Sequence, residues 1–113
     1  MKLINLTPHS IRIEMEQNTN TIEPSGAIAR VSVKSVFAGV IPGTSIPVRR
    51  NEYGPVENLP SPEPEKIYIV SAMVLSQCIN RKDVFGPDTG PSAIRNDQGQ
   101  IVAVTALISA PTE

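Results

Sequence analysis

Ile67-Tyr68-Ile69-Val70-Ser71-Ala72-Met73-Val74-Leu75-Ser76-Gln77-Cys78-Ile79-Asn80 is the stretch that organises this chain. Its first four residues are apolar without alternation. That is the pattern of a strand covered on both faces, so it predicts a central strand at 67–70. Ser71 stands where a helix N-cap belongs, with a side-chain oxygen suited to an orphan backbone N–H. Ala72 to Ile79 make two helical turns with almost no polar face, which predicts a buried helix. Asn80 tolerates the left-handed backbone that ends a helix.

The pattern becomes strand-like again on either side of this unit. Downstream, Arg81 to Pro91 is rich in turn residues and reads as a long loop. Ala93-Ile94-Arg95, the turn Asn96-Asp97-Gln98-Gly99 and the run from Gln100 to Ile108 form a predicted hairpin, with Gly99 supplying a positive φ. Upstream, residues 51–66 carry Pro55, Pro60, Pro62 and Pro64 and read as a second long loop or flap. Ser45 to Arg50 is a short strand, and Pro47 assigns it to an edge. Gly39 and Pro42-Gly43 break the chain before it. Ile28 to Val36 is a strand by its β-branched content, entered from the turn Pro24-Ser25-Gly26. Ile11, Ile13 and Met15 alternate with Arg12, Glu14 and Glu16, so residues 10–22 form a hairpin around Gln17-Asn18-Thr19-Asn20. Thr7-Pro8-His9 is a kink before it. The fold class is mainly β: a small antiparallel sheet or barrel-like single domain over residues 1–113, with one short buried helix.

Composition narrows the chemistry. The chain has 113 residues, 40% of them hydrophobic and 19% charged, which suits one globular domain. Eleven prolines exclude long helices and coiled coils. No apolar run reaches the length of about 20 residues that spans a bilayer. Met1-Lys2 leads into the strand-like Leu3-Ile4-Asn5-Leu6 rather than a signal peptide. One cysteine, Cys78, excludes an intramolecular disulfide and suits a reducing compartment, so the expected location is a bacterial host cytoplasm. A single histidine, His9, and a single cysteine do not make a zinc site, and no cofactor is expected. The net charge of −1 argues against a nucleic-acid polymer as partner. The charge is uneven, however. Lys2, Arg12, Arg30, Lys34, Arg49 and Arg50 outnumber three glutamates in residues 1–50, and acids dominate the remainder. A local cationic pocket on a neutral protein fits a small anionic ligand.

Three groups of residues bear on function. Asp88-Thr89-Gly90 is the string of retroviral-type aspartic proteases, which need two carboxylates sharing a proton on an apolar strand. Here Pro87 precedes it and Pro91 follows it, which is turn chemistry with Asp88 capping its own backbone. His9 and Cys78 lack the neighbours of a general base or an activated thiol. The arginines Arg30, Arg50, Arg81 and Arg95 are the stronger signal, with pairing of each to a nearby acid such as Asp83, Asp88 or Asp97 as the plainer alternative. A planar guanidinium grips phosphate or carboxylate through two parallel bonds. Ile28 and Arg30 share a strand face, which predicts a half-buried guanidinium in need of an anion. Tyr53 and Phe85, one in each predicted loop, are available to stack on a base.

The series Asn5-Leu6-Thr7-Pro8-His9, Pro24-Ser25-Gly26 with Ala29-Arg30, Tyr53-Gly54 with Leu59-Pro60, Tyr68-Ile69-Val70-Ser71, Arg81 with Asp83-Val84, Pro87-Asp88-Thr89-Gly90-Pro91, and Arg95 with Gly99 resembles a family of small proteins of bacteriophages, prophages and actinobacterial genomes. The resemblance brings no catalytic residue set. By analogy of context, small multimeric phage proteins include sponges that hide nucleotide messengers of bacterial immunity. The expected function is therefore a phage accessory protein that sequesters a small anionic ligand, a signalling nucleotide, without cleaving it. Arg30, Arg50, Arg81 and Arg95 would hold phosphates, Tyr53 or Phe85 a base, and Asp88 and Thr89 complete the expected ligand-binding set. The exposed edge at Pro47 predicts a homo-oligomer. Two other classes compete with this reading. One is a nucleotide-degrading enzyme using His9 or Asp88 with a metal, and the other a protein-interaction or virion accessory module working through residues 51–66.

Overall fold

A computed structural model describes all 113 residues, Met1–Glu113. The apolar run at 67–70 becomes β6 (Lys66–Ile69), the inner strand of a four-stranded sheet. It lies between β1 (Lys2–Asn5) and β7 (Val84–Pro87), and β10 (Leu107–Ser109) closes the order β1-β6-β7-β10. Tyr68, Ile69 and Val70 are at most 1% exposed, because both faces of this strand are covered. One face packs Tyr68 and Val70 with Leu6, Ala29, Val74, Leu75, Cys78 and Val84. The other packs Ile69 with Ile11, Ile13 and Val104. Burial on two sides is why the run does not alternate.

The protein is mainly β with a single short helix, as the sequence predicts. Strand pairing within the sheet is mixed. β1 and β7 both run parallel to β6, while β10 is antiparallel to β7, and β1 and β10 leave the sheet open at its edges. The parallel β6–β7 pair needs a crossover, and α1 (Ala72–Ser76) supplies it. Ser71 caps α1 by accepting from the Val74 N–H. The helix is shorter than the predicted 72–79 and buries one face, with Val74 and Leu75 inside and Met73 half exposed. A chain without polar spacing does not need full burial when only one side meets the sheet. Asn80 is left-handed, at φ 66°, but it lies three residues beyond the C-cap Gln77, so it shapes the turn after the helix rather than ending the helix as expected. Gly86 lets α1 approach, since a Cβ there would meet Leu75 and the Val70 carbonyl at 3.1 and 3.2 Å.

Two small hairpins cover the second face. β2 (Ile11–Glu14) pairs with β3 (Thr19–Ile22) as the predicted 10–22 hairpin, but its turn is at 15–18 rather than 17–20. β8 (Ile94–Arg95) pairs with β9 (Ile101–Ala103) around Gly99 at φ 80°, also as predicted. The chain then bends at Thr105-Ala106 and returns as β10 rather than continuing one strand to Ile108.

Both predicted long loops need correction. Val84–Pro87 is β7 inside the stretch read as loop 81–91; Val84 is fully buried there. Residues 51–57 belong to β5 (Pro47–Glu57), an 11-residue strand paired along its length with β4 (Arg30–Val40). The prolines of β5 misled because this is a two-stranded arm. Its outer edge has no partner, so Pro47 and Pro55 forfeit no ladder bond. A bulge opposite Ser32 takes up Gly54-Pro55, and a Cβ at Gly54 would collide with the Ser32 hydroxyl. The tip Ile41-Pro42-Gly43-Thr44 closes with a Thr44 N–H to Ile41 carbonyl bond of 3.0 Å and φ 79° at Gly43, the chemistry of a type II turn. The arm makes the molecule long, at 56 × 39 × 27 Å with a radius of gyration of 17.0 Å. A compact chain of this length has about 13 Å.

Candidate functional site

The Asn5-Leu6-Thr7-Pro8-His9 motif is a structural corner. Asn5 is 1% exposed and uses its whole amide. Its Nδ2 donates to the His9 and Ile22 carbonyls at 2.8 and 2.9 Å. Its Oδ1 accepts from the Thr7 N–H at 2.9 Å and the Thr7 hydroxyl at 2.7 Å. The Asn5 carbonyl takes the Ser25 N–H, and the Leu6 carbonyl takes the Ala29 N–H. The corner thereby fixes the Pro24-Ser25-Gly26 turn and aims the entry to β4, where Arg30 stands. His9 serves through its backbone here.

Arg30 sits at the root of the arm where two grooves meet. One groove, about 630 Å³, is lined by Gly26, Ala27, Ile28, Asn58 and Leu59 besides Arg30. The other, about 410 Å³, runs past Ser32, Glu57, Ser71 and Met73. Both are shallow grooves open to solvent rather than enclosed clefts. Arg30 is exposed rather than half buried, because Ile28 precedes the strand and the face opens onto the grooves. Across the ladder it stands opposite Glu57, yet no ion pair or hydrogen bond holds its guanidinium.

Every other arginine is occupied. Arg12 pairs with Glu14 and Arg50 with Glu52. Arg49 donates to the Ser35 hydroxyl at 2.7 Å and the Ser35 carbonyl at 3.0 Å. Arg95 donates to the Gly99 carbonyl at 2.7 Å and so braces its own hairpin. Arg81 grips Asp83 with two bonds of 2.8 and 2.9 Å and reaches the Pro60 carbonyl at 2.9 Å. That guanidinium holds the Asp83 carboxyl below its ordinary range and is itself pushed up by the same bond. It also ties the 58–65 segment to the turn before β7.

The predicted ligand set is therefore dispersed. Arg50 and Tyr53 lie on the arm. Phe85 lines a groove with Asn80, Arg81 and Lys82 on the far side of β7. Asp88 and Thr89 line a third groove beside α1 and β10. Asp88 acts as the turn reading requires: its Oδ1 accepts from the Gly90 N–H at 3.1 Å and its Oδ2 from the Ser92 hydroxyl at 3.3 Å. Cys78 is buried, and burial pushes its thiol up, away from reactivity. No three His, Cys, Asp or Glu side chains are grouped to hold a metal, and no helix is long and apolar enough to cross a membrane. Gly26, Asn58 and Leu59 were missed as groove residues. Only the juxtaposition of 26–30 with 58–60 reveals them, and the one signal in the sequence was Arg30 following a glycine turn.

No family model, curated protein or solved structure matches the chain.

Proposed function

We propose that the protein binds a small anionic ligand, a nucleotide, in the groove over Arg30 and holds it without cleaving it. The observation that carries this reading is the unpaired Arg30 guanidinium, set among five arginines that all have partners. A phosphate would seat in the larger groove, which has no carboxylate in its wall, rather than beside Glu57. The same groove presents no His, Cys or acid to serve as a base, which favours sequestration over hydrolysis. The phage setting implied by the motif resemblance suits a sponge for a nucleotide immune messenger. In this role Tyr53 or Phe85 meets the base only if ligand or subunit geometry brings it near.

Titration with a panel of cyclic nucleotides and nucleoside diphosphates tests the reading. Arg30→Ala should remain folded and bind ten- to a hundred-fold more weakly, since charge-assisted bonds are worth about 1.5–3 kcal/mol each. Arg30→Lys should recover part of that loss. Heating the complex should release intact ligand; release of product would instead identify an enzyme. Equal binding by Arg30→Ala and the parent would remove the groove from the function.

A further inference from the structure

The β4–β5 arm, Arg30 to Glu57, contains no buried residue. It nevertheless carries Val33, Phe37, Val40, Ile41, Ile46, Val48 and Tyr53, all substantially exposed. A lone two-stranded ribbon is at best marginally stable in water, and it becomes stable when a face is packed. Cross-strand register defines that face. Val33 lies opposite Tyr53, Ser35 opposite Asn51 and Phe37 opposite Arg49, so the three apolar side chains share one side of the arm. Phe37, at its centre, is 62% exposed.

We infer that this face docks on the body of a second copy of the same chain, each arm reaching across its neighbour. Two further observations select that occupant. The first is area. The chain exposes 7700 Å², whereas a compact monomer of 12.2 kDa exposes roughly 6,000 Å². The surplus of about 1,700 Å² comfortably exceeds the roughly 800 Å² that each partner buries in a standard interface. The second is charge. The arm carries Arg30, Lys34, Arg49 and Arg50 against Glu52 and Glu57, while the rest of the chain has nine Asp and Glu against six Lys and Arg. A basic arm on an acidic body attracts, whereas two arms side by side repel. Pro47 and Pro55 disfavour strand addition along the β5 edge, and the exposed Val33, Phe37 and Tyr53 side chains stand on a face of the ribbon rather than along either edge, so the face is the apolar surface to be covered. The inference does not depend on ligand binding at Arg30.

Sedimentation velocity of the full chain from 1 to 100 µM in low salt tests it. The parent should self-associate, and raising salt to 0.5 M should weaken the assembly. Phe37→Glu should raise the dissociation constant at least tenfold while far-UV circular dichroism stays unchanged. Arg49→Glu, on the same face, should also weaken association, and it carries the test alone should Phe37→Glu misfold. A parent that stays monomeric at 100 µM would overturn the inference and leave the arm to a different partner. So would an assembly indifferent to both substitutions.

Discussion

The body and the arm solve the same problem in opposite ways. Both are β structure rich in Val and Ile, and each holds two of the chain's four aromatic side chains. In the body those side chains are covered on two faces of β6, and even the polar Asn5 is buried with every amide valence used. In the arm, about a quarter of the chain, the same residue types stand in solvent, and only its root touches the core, through Val31 and Val56. Strand propensity therefore does not report burial. It reports fit to a pleated surface, and whether that surface is covered depends on what crosses it.

The largest effect should come from breaking the corner of the body. Asn5→Ala removes four hydrogen bonds at once: the Ile22 carbonyl and the Thr7 N–H lose their side-chain partner, and the His9 carbonyl and the Thr7 hydroxyl are left bonded to each other. Several unsatisfied groups together should cost about 3–5 kcal/mol. That is a large share of the roughly 5–15 kcal/mol available to a domain. Urea denaturation measures it. A loss below about 1 kcal/mol would show that the motif is not the keystone of the body.

A smaller effect belongs to the clasp between Arg81 and Asp83. Arg81→Ala should cost about 1–2 kcal/mol, because the pair is bidentate but partly solvated. It also has a signature in pH. The Asp83 carboxyl is held below its ordinary value of 3.8 in the folded protein. A carboxyl depressed on folding contributes stability above its unfolded value, and that contribution is lost as pH falls through the folded one. Stability should therefore decline below about pH 4, and Asp83→Asn should flatten part of that decline. An identical acid profile in parent and variant would show that the clasp contributes nothing.

How much was legible follows the same division. The run 67–70, the Ser71 cap, the left-handed Asn80, the 10–22 hairpin and the Asp88 turn are local events, and each was readable because its cause lies within a few residues. The parallel pairing of β1 with β6 was not, since Lys2 and Lys66 meet across more than half the chain. The arm was misread for a physical reason. Asn51, Glu52, Gly54 and Pro55 form a loop by every local preference, and only the partner strand and a bulge at Ser32 keep them extended. Arg30 was found for its chemistry but placed in the wrong environment. Its groove is made by segments 26–30 and 58–60, whose meeting depends on the corner at Asn5 and the clasp at Arg81. Pairing of an arginine with a nearby acid was the plainer alternative in the sequence, and it holds for Arg81 with Asp83. The other acceptors, Glu52 for Arg50 and the Pro60 and Gly99 carbonyls for Arg81 and Arg95, differ from the acids the sequence suggested, and the two carbonyls become acceptors only once the backbone is placed.

The smallest effect on the isolated chain should come from the arm, and it sharpens the comparison most. Phe37→Thr keeps strand propensity and removes an aromatic ring that is already mostly in water. At submicromolar concentration the substitution should shift stability by about 0.5 kcal/mol or less, as surface changes do. At 100 µM the outcome should differ. If the arm packs on a second copy, association stabilises the folded parent by mass action, so its melting temperature climbs with concentration. The variant, lacking the anchor of that face, should climb less, and the two curves should separate by a few degrees. The same ring would then be nearly worthless within one chain and valuable between two. Melting temperatures that stay parallel across the concentration range would show that the arm is as solitary as it stands in the single chain.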